Sequence, residues 1–306
     1  MAPTVMEPYR QLVINEKEEE KEKEKTAVFE RVVRPCLAEL TGACLFVFIG
    51  CMCIPHSLAK EPGKSHPALA ATPIALAHGL LIASLVISFG KVSGGHFNPA
   101  VTVGVALAGH IAPLLAVFYV GMQLIGGLLG AALCRAVDTK ALFESLNGGA
   151  HILPPETSAG QGILCEMLLT TLLVLTVIMG TCDGRTKSER APLAIGFCVL
   201  VDILAGINTS GASMNPARSF GPAVAVSVYN SDVWTYHYVY WVGPILGSIL
   251  AGVLYRILLA NNDKRLFLKR EVLIEAEPKV PRVWFFLANP DKRLFVDTFY
   301  YKQLRS

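Results

Sequence analysis

The polar residues that interrupt the apolar stretches of this chain come in matched sets. Asn98-Pro99-Ala100 follows Gly94-Gly-His96-Phe, and Asn215-Pro216-Ala217 follows Gly211-Ala212-Ser-Met and leads into Arg218. Asn caps a helix by accepting from its first N–H groups, and Pro in the first turn is pre-set for helix. Each triplet therefore reads as a loop feeding a helix start. The short apolar runs that follow, to Ala108 and to Val226, predict half-length helices. The chemistry on offer is recognition rather than bond-making. A helix N-terminus carries roughly half a positive charge. Two of them aimed at one point repel a cation and leave a neutral dipole unaffected. Each Asn side chain can also offer N–H groups to a passing oxygen. Non-helical backbone at membrane depth is tolerated only where it is buried in protein or lines a wet cavity. Two such starts in matching places predict a transport pathway near the midplane.

Three acids, Glu39, Glu166 and Asp202, also fall inside apolar runs. Ionisable groups at that depth default to function, so one reading makes them proton sites of a coupled small-solute transporter. The other gives Glu39 and Glu166 a structural task, because buried loop N–H groups must be paired somewhere. No phosphate loop, metal cluster or Ser-His-Asp set suggests an enzyme, and no cofactor is expected. Eight cysteines, at 36, 44, 51, 53, 134, 165, 182 and 198, lie mostly in apolar runs and read as small hydrophobes. Cys51-Met-Cys53 has neither a zinc nor a redox spacing. Both thiols stand near the end of the first span and are expected to meet solvent or oxidant.

The elements that must position these residues are long apolar helices. The chain has 306 residues, 53% of them hydrophobic and 17% charged, too apolar for a soluble domain. Six runs, 36–55, 68–89, 111–134, 162–182, 191–207 and 238–260, are long enough to cross hydrocarbon. A net charge of +3 implies no nucleic-acid surface. The charged N-terminus gives no sign of a cleavable signal peptide. The connection at 183–190 carries three basic residues, and both tails are basic beside the membrane, which assigns all three to the cytoplasm. Three parts follow: an N-terminal tail, 1–34, with a Glu/Lys run at 16–25; a channel domain, 35–262; and a C-terminal tail, 263–306. That last tail holds a duplicated motif, Leu259–Phe267 recurring as Leu287–Phe295.

The membrane part itself repeats, about 35–137 and about 161–260. Glu39 precedes Asn98 by 59 positions and Glu166 precedes Asn215 by 49. Phe118-Tyr119-Val-Gly121 follows the first triplet and Tyr240-Trp241-Val-Gly243 the second. Three spans per half give the halves opposite orientation, an inverted repeat.

With the paired triplets, Arg218, the six spans and the two glutamates in view, the chain resembles the major intrinsic proteins, or aquaporins. The stretches Phe48–Cys51, Ala77-His78-Gly-Leu80, Ser93–Ala100 and Val201–Gly206 carry the likeness, which covers about 34–262. The resemblance implies an all-α membrane fold of six transmembrane helices and two re-entrant half-helices. It also implies passive passage of water and small neutral solutes, and a homotetramer in the bilayer with one pore per subunit. An outer selectivity filter of His78, Ile203, Ala212 and Arg218 follows from it, with Glu39 and Glu166 supporting the loops and His96 at the inner mouth. Strictly water-selective members carry Phe, His and Cys beside the Arg. Ile and Ala at those places imply a wider filter that passes ammonia and hydrogen peroxide. Glycerol channels typically carry Asp after the filter Arg, where this chain has Ser219. Asp202, next to Ile203, should point away from the pore and bond to loop backbone. The plasma membrane is the expected location, with internal membranes, mitochondria included, as the alternative.

Overall fold

The computed structural model describes residues 21–54, 67–261 and 264–266. The first half of the Glu/Lys run at 16–25, the connection at 56–66 and the second copy of the tail motif lie outside the described residues. The described residues belong to one compact unit.

Among the described residues it is built on the α-helices α1 (Arg34–Met52), α2 (Pro67–Ser93), α3 (Pro99–Leu107), α4 (Pro113–Val137), α5 (Lys140–Ser145), α6 (Ala159–Val177), α7 (Ala191–Gly206), α8 (Pro216–Val226) and α9 (Val239–Leu254). No strand occurs among the described residues. Residues 21–33 are already helical and run into α1 through a π-helical turn at Phe29–Val33, so the helix begins inside the stretch read as a tail. Pro lies in the first turn of α3, α4, α7 and α8, where its missing N–H costs nothing, whereas Pro35 of α1 lies just past the π-helical turn of a continuous helix. A reciprocal Ser158–Gln161 capping box starts α6.

Among the described residues five helical stretches are long and apolar enough to cross a membrane, and α7, with 16 residues, is the shorter sixth. Their outward faces suit an apolar solvent. On α4, Leu114, Val117, Phe118, Ile125, Leu129 and Leu133 stand exposed at helical spacing.

Inverted repetition shows in the helix contacts. A methyl group on Gly79 of α2 would lie 2.6 Å from the carbonyl of Gly196 in α7, and one on Gly196 would lie 2.5 Å from that of Gly79. This reciprocity is what a two-fold relation between the halves requires. Helix α1 packs on α4 and α6 on α9, with α8 set against α4 and α3 against α9. Gly126 presses on the Leu40 carbonyl in the first pair, and Gly247 lies against that of Met167 in the second. Small residues at such crossings let helices in lipid approach closely.

These contacts correct the sequence register by one residue. Tyr119 donates to the carbonyl of Ser93 at 2.8 Å and Tyr240 to that of Ser210 at 2.8 Å. The equivalent of Tyr119 is thus Tyr240, not Trp241. The two glycines used for the alignment differ in role: Gly121 has open space beside it, whereas Gly243 packs on Glu166.

Candidate functional site

Two loops dive into the protein and end on the Asn triplets. In the first, Glu39 is fully buried and accepts from Ser93 Oγ (2.6 Å), His96 N (3.0 Å), Phe97 N (2.6 Å) and Gln123 Nε2 (2.8 Å). In the second, Glu166 accepts from Ser210 Oγ (2.7 Å), Ser213 N (2.9 Å) and Met214 N (2.6 Å). Each carboxylate thus satisfies the N–H groups of the two residues before its Asn. Phe97 and Met214 sit at φ of 50° and 54°, a left-handed conformation costly for such side chains. The acid in front of each loop holds it there.

Asn98 caps α3 by accepting from Ala100 N at 2.8 Å, and Asn215 caps α8 by accepting from Ala217 N (3.0 Å) and Arg218 N (3.3 Å). The side-chain amides cross between loops. Asn98 Nδ2 donates to Met214 O at 2.9 Å and Asn215 Nδ2 to Phe97 O at 3.0 Å. The two half-helix N-termini therefore meet. Each Asn spends one N–H on the opposite loop and keeps a second. Both line a cavity of about 30 Å³, together with His96 and with apolar Phe46, Val101, Leu173 and Val199. That volume holds about two waters.

Phe46, Val199, Ser213 and Met214 also line a second cavity of about 30 Å³ on the side of α8. His78, Ile203, Ala212 and Arg218 come together around it, with His151 from the connection between α5 and α6. Arg218 is buried and held on three sides. Its Nε donates to His78 Nε2 at 3.3 Å, Nη1 to Gly149 O at 2.9 Å and Nη2 to Gly50 O at 3.4 Å. His78 Nδ1 donates to Ile74 O at 2.9 Å. On the opposite side His96 borders both the first cavity and an open vestibule of about 1160 Å³, which also meets Lys91, His110 and the 187–189 connection. Vestibule and cavities follow one another through shared lining residues.

Several sequence expectations change. Cys51 is only 3% exposed, packed with Val47, Ala131 and Cys134 against the backbone at Gly149. Two positions on, Cys53 falls on another helix face. It is half-buried and its Sγ lies 3.6 Å from His78 Nδ1. Asp202 is buried, and it accepts not from loop backbone but from the Cys198 thiol, 3.4 Å away one turn back. His151 and the Gly149 carbonyl also border the site, supplied by a connection that carries no motif. No cluster suited to a metal occurs among the described residues.

Six crossing helices, two half-helices meeting at their N-termini and a line of narrow cavities through that meeting point define a polytopic membrane channel. Comparison with known proteins gives the family. The profile described as Major intrinsic protein matches residues 26–255. Aquaporin-8 of Mus musculus is 41% identical over 242 residues, 79% of this chain and 88% of that protein. Aquaporin TIP4-2 of Zea mays is 41% identical over 235 residues, 75% and 86% of the two chains. Aquaporin-2 of Homo sapiens is 37% identical over 246 residues, 80% and 86%. The X-ray structure of the aquaglyceroporin from Plasmodium falciparum shares the fold, with a TM-score of 0.62 at 22% identity over 73% of this chain and 95% of that one. The chain belongs to the major intrinsic protein family, and it is an integral membrane protein and passive channel for water and small solutes.

Proposed function

We propose that the channel conducts water, ammonia and hydrogen peroxide and rejects protons and ions. The observation that carries the reading is the cavity lined by His78, Ile203, Ala212 and Arg218. Two of its four walls are aliphatic, one of them only a methyl group. Such an aperture admits a solute slightly larger than water and still meets it with the Arg218 guanidinium. Rejection of charge rests on the facing N-termini of α3 and α8, whose partial positive charges add at the Asn98–Asn215 meeting point. A water accepting from both remaining Asn N–H groups turns its own hydrogens outward, which interrupts proton hopping.

Both termini and the 183–190 connection face the cytoplasm in this reading, the plasma membrane is the host, and four subunits with one pore each assemble through the exposed apolar faces. Glu39 and Glu166 act as loop supports rather than proton carriers, because their oxygens are taken up by loop donors. Stopped-flow permeabilities of water, ammonia, peroxide, urea and glycerol in one reconstituted preparation test the proposal. It expects the first three to pass and glycerol to lag. Water flux without peroxide or ammonia flux would refute the wider filter.

A further inference from the structure

Of the three bonds that hold the Arg218 guanidinium, the shortest runs to Gly149 O at 2.9 Å, against 3.3 Å to His78 Nε2 and 3.4 Å to Gly50 O. His78 and Gly50 belong to long helices. Gly149 belongs to the connection between α5 and α6, so its carbonyl needs another means of being aimed. The local backbone supplies one. Asn147, Gly148 and Gly149 have φ of 48°, 55° and 73°, three left-handed residues in succession. They close a tight turn, with Gly149 N donating to Leu146 O at 3.0 Å and Ala150 N to Asn147 O at 2.9 Å. Most side chains avoid such a run. Glycine tolerates it, and Asn is among the few that enter it at small cost.

Packing fixes where the turn lies. A methyl group on Gly148 would fall 2.5 Å from the Phe143 ring, and one on Gly149 would fall 2.9 Å from Cys51 Sγ. The entry residue is held differently. Asn230, from the connection between α8 and α9, donates from Nδ2 to Asn147 Oδ1 at 2.9 Å. Asn230 cannot turn its amide over, because its Oδ1 accepts from Asp232 N at 2.9 Å and caps the turn Ser231–Trp234. Its NH₂ therefore faces Asn147, and the Asn147 oxygen faces it. The neighbouring Tyr229 is seated as well. Its Oη accepts from Arg135 Nη2 at 3.0 Å, and its ring lies 5.1 Å from Arg135 Cζ and 5.6 Å from Lys140 Nζ. The clasp thus ties the left-handed turn to a segment already fixed on α4 and α5.

We propose that Asn230 and Asn147 are positioning residues that set solute selectivity: their clasp keeps Asn147 left-handed, which aims Gly149 O at Arg218 and holds the guanidinium at the edge of the filter cavity. Without it the turn relaxes, Arg218 loses its shortest bond and the aperture widens. A solute broader than water, such as urea, gains most. This deepens the filter reading above and rests on it.

The test compares three variants, none of which lies in the cavity lining. Asn147→Gly keeps the left-handed backbone and removes the clasp. Asn230→Ser keeps an oxygen for Asp232 N and is too short to reach Asn147. Asn147→Asp keeps an oxygen for Asn230 Nδ2. Urea and water permeabilities are measured on one proteoliposome batch, so that their ratio does not depend on the amount of folded protein. The ratio should rise about fivefold in Asn147→Gly and Asn230→Ser, the effect of one lost hydrogen bond, and stay within about twofold of wild type in Asn147→Asp. An unchanged or lower ratio in the first two overturns the proposal and leaves the channel reading standing. So does a rise in Asn147→Asp as large as that in Asn147→Gly. A wild type that conducts no water overturns both. Should the first two variants fail to fold, hydrogen exchange of the Asn230 side-chain amide in the wild-type protein decides. One slowly exchanging proton is expected, and exchange of both at the rate of a free amide overturns the clasp.

Discussion

Glu39 and Glu166 hold the two re-entrant loops by the same three bonds. Each accepts a serine hydroxyl, from Ser93 or Ser210, and the N–H groups of the two residues before its Asn. Glutamine at either position offers an NH₂ where the loop needs an acceptor. Glu39→Gln and Glu166→Gln should each cost about 2–4 kcal/mol, since a buried donor is left facing another donor. Thermal unfolding in detergent reads this, together with lost water flux. If the acids were proton sites of a coupled transporter instead, the variants would keep wild-type stability and lose only pH-driven uptake.

Arg218 bridges α1, α2 and the connection between α5 and α6 through Gly50, His78 and Gly149. Lysine cannot reproduce a planar fork. Arg218→Lys should loosen the constriction and raise urea permeability relative to water by about tenfold, a shift of roughly 1.4 kcal/mol. Paired uptake assays on one vesicle batch check the ratio, and an unchanged ratio contradicts the assigned filter.

Ile203 and Ala212 line the same cavity, and in the proposed channel they set its width. Replacing them together by His and Cys should narrow it and lower peroxide and ammonia flux by at least about fivefold more than water flux, the scale of selectivity that small changes in pocket size supply. Equal loss of all three solutes would show that these side chains do not define the narrowest point.

Cys53 and Cys51 separate in their access to reagents. Cys53 is half-buried beside His78, whereas Cys51 is sealed under Gly149. A mercurial should slow water flow in wild type and in Cys51→Ser, and lose its effect in Cys53→Ser. Full protection by Cys51→Ser alone would contradict this arrangement.

In the 183–190 connection Asp183 accepts from Tyr255 Oη at 3.1 Å and from Arg185 N at 2.9 Å, while Tyr255 Oη also lies 3.0 Å from His110 Nε2. Burial alone would raise the Asp183 pKa. The bonds from Arg185, Tyr255 and Thr186 and the Arg185 charge outweigh it and hold the carboxyl below its usual range. A depressed folded pKa means the stability is present above the unfolded value and is lost as pH falls through the folded one. Thermal stability should therefore be level from neutral pH down to about 4 and fall below it. Asp183→Asn should be less stable at neutral pH by about 1 kcal/mol and show a shallower acid decline. An acid decline identical in Asp183→Asn would remove Asp183 from the explanation.

Much of the fold is legible in the sequence, because its signals are local. Asn followed by Pro announces a helix start wherever the chain runs, and long apolar runs announce spans whatever their neighbours. What depends on distant packing is not legible. His151 gains its place only when the connection between α5 and α6 folds back over Ser219. The register between Tyr119 and Tyr240 is set by glycine contacts on α1 and α6, while the repeated Val-Gly dipeptides point one residue astray. Asp202 lies within reach of a thiol on its own helix, and no pattern in the sequence says that the loop does not reach it.

The central claim is that the facing half-helices at Asn98 and Asn215 let uncharged molecules through and stop charge. The most direct test measures water and proton flux on the same reconstituted vesicles, with an osmotic step and then a pH step. The account predicts rapid water movement with a low activation energy and proton leakage no greater than in protein-free vesicles. Proton flux that rises with the amount of protein and tracks water flux would contradict it.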